Sequence, residues 1–488
     1  MRISNLKLIL LLCITFSFSI TNLYSLEDYK KLSFKSKIED LGLQPTHIIR
    51  SGERDYDIFC LGQDLNFDGT IQLDSGDVYS SWYRLRVDET LSGGGVLITS
   101  EKVMDFTDDI IQFGFKPVFD TINNKIYLNC INTVKILDVE NKSIEDNDLF
   151  GGKFLGSSHQ ILCKYNNNLV TTKYEFYQTD SLRVFDDYTL NSSVNYTSFL
   201  LGKSTISSKY FKSENLEFLQ VLDQGYFGNN DSKLYTIMFE NGNLSAEVDT
   251  SEVGDGANQF IYEEINNNGE KNMVAYIVLN GSNKVFVGVL GKNKYDFNFG
   301  KPGSFDGPRE VFTMPEWNYF YVSTYAGKTF VFDKSFATTD KPNLKPIDSL
   351  VLYGKGESMN FHPTANHLFV LTPTDEFYSP LNTIDVFYDP TFTSVENEIS
   401  NINDLVTIYP NPIENTGLLQ VSLESELVNN SISKYEIYDI NGNLVSRDHK
   451  VSSNNININL STMNLSSGKY FVKLQFENGF IVKPFSVR

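Results

Sequence analysis

The sequence predicts an all-β chain, and three observations predict it. Aromatic residues make up 14% of the 488 residues, with 27 Tyr and 37 Phe; together with Val, Ile and Thr they suit the half-buried, pleated surface of a sheet. Long Ala/Leu/Glu/Lys stretches with a 3.6-residue period are missing. One short phrase recurs along the body: alternating apolar residues that end in an apolar residue and an acid, followed by a turn.

The phrase reads Tyr83-Arg84-Leu85-Arg86-Val87-Asp88, then Val134 to Asp138, Leu182 to Asp186, Phe330 to Asp333 and Ile384 to Asp389, with degenerate copies at Leu234 to Glu240 and Val285 to Gly291. Its last position falls at 88, 138, 186, 240, 291, 333 and 389, in steps of 42 to 56 residues. A period of 40 to 50 residues of short strands is what a propeller blade of four antiparallel strands needs. Seven copies predict a seven-bladed β-propeller; six or eight blades stay open because the first blade and the ring closure are indistinct. The regular step counts against a run of β-sandwich domains. Phe361 to His367 leads into the strand Leu368 to Leu371, and Val118 to Asn124 leads likewise into Ile126 to Leu128. On these units the body, roughly residues 46–393, resembles the YVTN-type and quinoprotein-like propeller families, although only Trp82 and Trp317 are present, too few for a tryptophan girdle around a quinone.

At the N terminus, Arg2 and Lys7 precede an apolar run from Leu8 to Ile20 and a Ser/Thr-rich exit near Ser19 or Ser25. This pattern predicts a cleaved signal peptide over 1–25, and residues 26–45 read as a lead-in. No later stretch reaches the 18 apolar residues of a membrane-spanning helix. The net charge of −20 argues against nucleic acid and anionic lipid as partners. Cys60, Cys130 and Cys163 lie beyond the leader with no CxxC spacing, and the alternation around them reads as small buried side chains.

After a polar bridge at 394–404, three signatures follow in order. Tyr409-Pro410-Asn411-Pro412 opens the segment. Asn441-Gly442, a hairpin turn signal, sits between Tyr435 to Ile440 and Leu444-Val445, and Gly468 to Leu474, with Tyr470, closes it before a last hairpin at Asn478-Gly479. Residues 405–488 closely resemble the type A C-terminal sorting domain of type IX secretion cargo. The resemblance implies a small antiparallel β-sandwich of about seven strands, an encounter with the type IX machinery, and a product that is secreted or held at the outer-membrane surface. Pro484 interrupts the final strand, which an edge position tolerates.

The sharpest local motif is Asp64-Leu65-Asn66-Phe67-Asp68-Gly69-Thr70, with Asp74 beyond it. It matches the opening of a calcium loop, with carboxyl and amide oxygens from Asp64, Asn66 and Asp68, the Thr70 carbonyl and Asp74 converging on a structural Ca2+. The closing acid is out of register for an EF-hand, and an Asx-rich surface turn explains the residues equally well. The five histidines, His47, His159, His362, His367 and His449, form no HxH or HExxH and read as packing at loops and strand ends. No GxSxG elbow or Walker loop occurs. Two functions stay open: a non-catalytic module that binds an extracellular glycan or protein, and a lactonase-like or lyase-like hydrolase with a metal at the central channel.

Overall fold

The computed structural model describes residues 29–64, 76–89, 96–107, 109–131, 133–145, 159–173, 180–185, 196–202, 204–212, 217–240, 242–267, 270–289, 294–304, 306–315, 317–334, 344–364, 366–389, 406–414, 417–423, 434–439, 444–448, 455–463, 465–476 and 479–488. Two compact units divide the chain; the larger ends at Asp389 and the smaller holds the C-terminal segment.

The larger unit is a β-propeller. Among its described residues it contains seven four-stranded antiparallel sheets. The first is built from Pro45–Arg50, Asp55–Cys60, Ser80–Glu89 and Val96–Phe106, and the second from Val118–Asp120, Lys125–Asn129, Val134–Asp138 and Ser143–Ile144. The third takes His159–Tyr165, Asn168–Lys173, Asp180–Phe185 and Tyr196–Leu201; the fourth takes Thr205–Lys212, Glu217–Asp223, Ser232–Glu240 and Asn243–Gly254. Ala257–Asn267, Glu270–Leu279, Lys284–Val289 and Lys294–Asn298 form the fifth, and Pro308–Thr313, Tyr319–Thr324, Lys328–Asp333 and Pro346–Val351 the sixth. In every sheet the recurring phrase of the sequence is the third strand; Asp138, Glu240 and Asp333 end theirs, Asp88 and Asp389 stand within one residue of the end, and Asp186 and Gly291 lie outside the described residues.

The seventh sheet draws on both ends of the propeller. Met359–His362, His367–Thr374 and Pro380–Tyr388 supply three strands, and Ser33–Ile38 adds the fourth, Ser33 opposite Tyr388 and Ile38 opposite Ile384. The region expected to be a lead-in therefore contains the strand that completes the last sheet. Leu32, just before it, is buried with Trp317, Tyr321, Phe361 and Phe387, and the Tyr29 hydroxyl donates to Asp348 Oδ2 at 2.8 Å.

Apolar seams join neighbouring sheets all the way round. Phe59, Trp82, Ile126 and Leu128 join the first two; Tyr127, Ile136, Ile161 and Leu169 the second and third; Leu182, Val184, Leu219 and Val221 the third and fourth. Leu222, Leu234, Phe260 and Ile277 continue the series, then Val274, Val285, Phe320 and Phe332, then the Leu32 cluster. Tyr56 closes the ring edge-on to Phe369 at 5.3 Å, its hydroxyl donating to the Phe361 carbonyl. Cys60, Cys130 and Cys163 are buried, and burial pushes the Cys60 thiol up to about 12. Among the described residues no helix is long and apolar enough to cross a membrane.

The smaller unit is a two-layer sandwich of seven described strands. Val406–Tyr409, Leu418–Leu423 and Asn455–Asn459 form one sheet; Leu444–Asp448, Lys434–Asp439, Gly468–Phe476 and Gly479–Val487 form the other. Leu419, Val421 and Ile458 from the first pack on Ile437, Val472 and Phe485 from the second, as the alternating pattern requires. Pairing in the last hairpin runs on to Phe476 opposite Gly479, which places Gly479 inside the strand instead of at the turn.

Candidate functional site

One cavity of about 320 Å³ runs along the axis of the ring, and every sheet, or the segment entering it, faces it. The inner strands reach it through a shared local device. Register shifts leave one unpaired residue in the inner strands of the first, third, fourth, fifth and sixth sheets: Thr46, Leu162, Ile206, Asn258 and Arg309. A bulge bends its strand and re-aims the side chains beside it, and all five residues line the cavity. The inner strand is also a sheet edge, whose free N–H groups need partners. Polar residues next to the bulges supply them: Gln259 Oε1 accepts from the Val311 N–H at 2.8 Å and Glu310 Oε2 from the Met359 N–H at 3.0 Å, each in the next sheet.

Charges cross the channel. Lys116 pairs with Glu310, and Arg309 grips both carboxylate oxygens of Glu357 at 2.9 to 3.1 Å. Burial opposes the charge on Arg309, but Glu357 and Tyr325 outweigh it and hold the guanidinium pKa up. Lys164 pairs with Asp120 at 2.6 Å. Lys209 lines the cavity with its side chain open to solvent, and it pairs with no carboxylate among the described residues. His47 is 3% exposed, and neither ring nitrogen has a hydrogen-bond partner of good geometry. Burial first, then Lys116 and to a lesser extent Arg309, depress its pKa to about 3 against an opposing effect of the Gln112 backbone. His47 is therefore neutral at physiological pH.

The segment entering the second sheet reaches over the channel. Ile111 bridges to Cys130, the Gln112 N–H donates to the Asn129 carbonyl at 3.0 Å, and Gly114 turns the chain at a φ of +86°. Phe115 then inserts among Ile206, Ala257 and Phe260 of the fourth and fifth sheets. Because strands alternate in direction, the loops between second and third strands share an end of the ring with the segments between sheets. That end carries the exposed side chains of Phe113, Ile131, Phe227, Tyr353, Phe377 and Tyr378, with Phe377 78% exposed. Cations are threaded among the rings: Arg309 lies 5.5 Å from the Phe113 centroid and 4.7 Å from that of Tyr325, and Lys355 lies 4.1 Å from that of Tyr378. Among the described residues the opposite end exposes Ile122, with Phe34, Leu97 and Tyr196 exposed at the starts of outer strands there.

Of the expected calcium ligands, Asp64 is described, while Asn66, Asp68, Thr70 and Asp74 lie outside the described residues. Among the described residues no three His, Cys, Asp or Glu side chains are grouped to hold a metal. His362 is buried with Thr364 Oγ1 3.2 Å from Nδ1, His367 Nε2 lies 2.8 Å from Lys35 Nζ, and His449 lies outside the described residues. His47 was expected to pack at a strand end and instead lines the channel; no local signal marks it, because the bulge that turns it inward is a property of the pairing.

In the smaller unit the sorting signatures converge on the last strand. Asn411, within Tyr409-Pro410-Asn411-Pro412, donates to the Pro484 carbonyl at 3.2 Å and accepts from the Ser486 N–H at 3.0 Å. Ile413 extends the clasp, taking the Ser486 carbonyl and the Arg488 N–H. Tyr470, two residues past Gly468, stacks on Phe485 at 5.8 Å, and its hydroxyl donates to the Ser466 carbonyl at 3.0 Å. Pro484 lies in an edge strand, as its missing N–H requires. Asn441 and Gly442 lie outside the described residues, between strands that pair Tyr438 with Leu444.

Residues 407–488 match the family model of the secretion system C-terminal sorting domain. No curated protein matches the chain. Solved structures similar to it include the β-propeller domain of Cps50 (Swd1) from Myceliophteria thermophila, at 10% identity and a TM-score of 0.43 over 73% of this chain and 99% of that one. The Dos1 propeller is similar at 12% identity and a TM-score of 0.48, over 73% and 95%. A chain of the mitotic checkpoint complex is similar at 7% identity and a TM-score of 0.49, over 74% and 96%. The tail marks the protein as cargo of type IX secretion, released or attached at the cell surface.

Proposed function

We propose that the propeller is a non-catalytic module that binds an extracellular ligand, exported by its C-terminal sorting domain after removal of a signal peptide at 1–25. The observation that carries the reading is the charge of the channel. Lys116, Lys164, Lys209 and Arg309 line it against the two acids Glu310 and Glu357, each tied to one of those cations, whereas a hydrolase of the lactonase-like or lyase-like kind would need acids gathered round a divalent cation. The aromatic end of the ring supports binding: Phe377, Tyr378 and Phe113 offer flat apolar surfaces beside cations, a combination suited to glycan or protein partners. In this reading the Asp64 to Asp74 loop, if loaded with Ca2+, has a structural role.

Glycan-array binding measured beside a lactone and ester hydrolysis screen on the mature protein tests the reading. Binding without turnover, weakened by Phe377→Ala, is the expected result. Turnover of any screened ester or lactone that depends on added metal would sink it.

A further inference from the structure

We propose that the channel holds a single carboxylate carried by a small hydroxylated molecule, a sugar acid being the best-fitting class, with Lys209 as its counter-charge. This rests on the binding reading and deepens it. Among the described groups, Lys116 is matched by Glu310, Arg309 by Glu357 and Lys164 by Asp120. Lys209 is left over, so the channel carries one excess positive charge inside a chain whose net charge is −20. An anion that brings one negative charge meets this excess with complementary potential inside the channel. A phosphate monoester carries about −1.5 to −2 at neutral pH and overshoots the match; a neutral sugar leaves Lys209 unmatched.

His47 supplies the second half of the recognition. Neutral imidazole offers one N–H donor and one nitrogen acceptor, and in His47 both lack partners of good geometry in the buried wall of the cavity. A carboxylate oxygen and a hydroxyl on one small molecule would satisfy both. The volume of about 320 Å³ lies at the small end of the range for small-molecule pockets, ~300–1,000 Å³, which suits a single acid unit.

The test is calorimetric titration of the mature full-length protein with glucuronate, galacturonate and gluconate, with glucose and glucose 6-phosphate as controls. At least one acid is expected to bind at least 10-fold more tightly than either control. Lys209→Met should weaken that binding at least 10-fold with a preserved melting transition, while Lys209→Arg, which keeps the charge, should stay within a few-fold. Acids that bind no better than glucose, or binding unchanged in Lys209→Met, would overturn the proposal. Loss of array binding in Phe377→Ala alongside unchanged array binding in Lys209→Met and no acid binding would reject the channel site and leave the binding module standing.

Discussion

Truncation of Leu32 to alanine tests whether the N-terminal strand closes the ring. Leu32 is 4% exposed and packs in the seam between the sixth and seventh sheets. Removing a buried Leu side chain costs about 2–5 kcal/mol, through lost transfer energy and the cavity left behind. Phe34, two residues on, is 51% exposed, so Phe34→Ala should cost about 0.5 kcal/mol or less. Unfolding entropy of about 2.1 cal/mol/K per residue over a ring of roughly 360 residues, Tyr29 to Asp389, converts ~3 kcal/mol into a melting point lowered by ~4 °C. Deleting residues 29–38 should do more, because it exposes the edge of Pro380–Tyr388 and removes the Tyr29 bond to Asp348 as well. Calorimetry of the mature protein and its variants reads all three. Equal melting points for Leu32→Ala and Phe34→Ala, or a deletion that melts like the parent, would refute the closure argument.

Lys334, 1% exposed, donates to Glu263 at 2.9 Å and to the Met314 carbonyl, and Tyr276 also donates to Glu263. Lys334→Met strands a buried carboxylate and should cost about 3–5 kcal/mol in chemical denaturation, with much of it restored by adding Glu263→Gln; a double variant no more stable than the single would contradict this. His47 has an ordinary pKa of 6.5 and a folded value of about 3. The unfolded chain therefore binds a proton that the folded chain refuses between those values, so stability present above pH 6.5 falls by up to ~1.4 kcal/mol per pH unit on acidification towards 3. His47→Gln should flatten that slope in denaturation midpoints measured from pH 7 to 4. Asn411→Ala removes both hydrogen bonds to the last strand, costs the sandwich about 1–2 kcal/mol, and should reduce the amount of protein in the culture medium; unchanged secretion and melting would show that the clasp is dispensable. Deleting 405–488 should retain the propeller inside the cell.

The sequence by itself determined the all-β class, the repeat and the sorting tail. Alternation with period two is local, so phrases such as Val134 to Asp138 and Phe330 to Asp333 announce their strands wherever they lie. The tail was legible because its signatures stand in order as short motifs in the sequence, even though Asn411 acts through the Pro484 carbonyl, 73 residues on. Only the tertiary structure decided the closing strand and the channel. Ser33–Ile38 looks like any polar run until Pro380–Tyr388 comes beside it, a pairing between segments some 350 residues apart that leaves no local trace. The channel charges lie between His47 and Glu357, on six different inner strands or the segments entering them. They meet because bulges turn them inward and the ring brings its edges together, so their chemistry is a product of closure, which no single segment encodes.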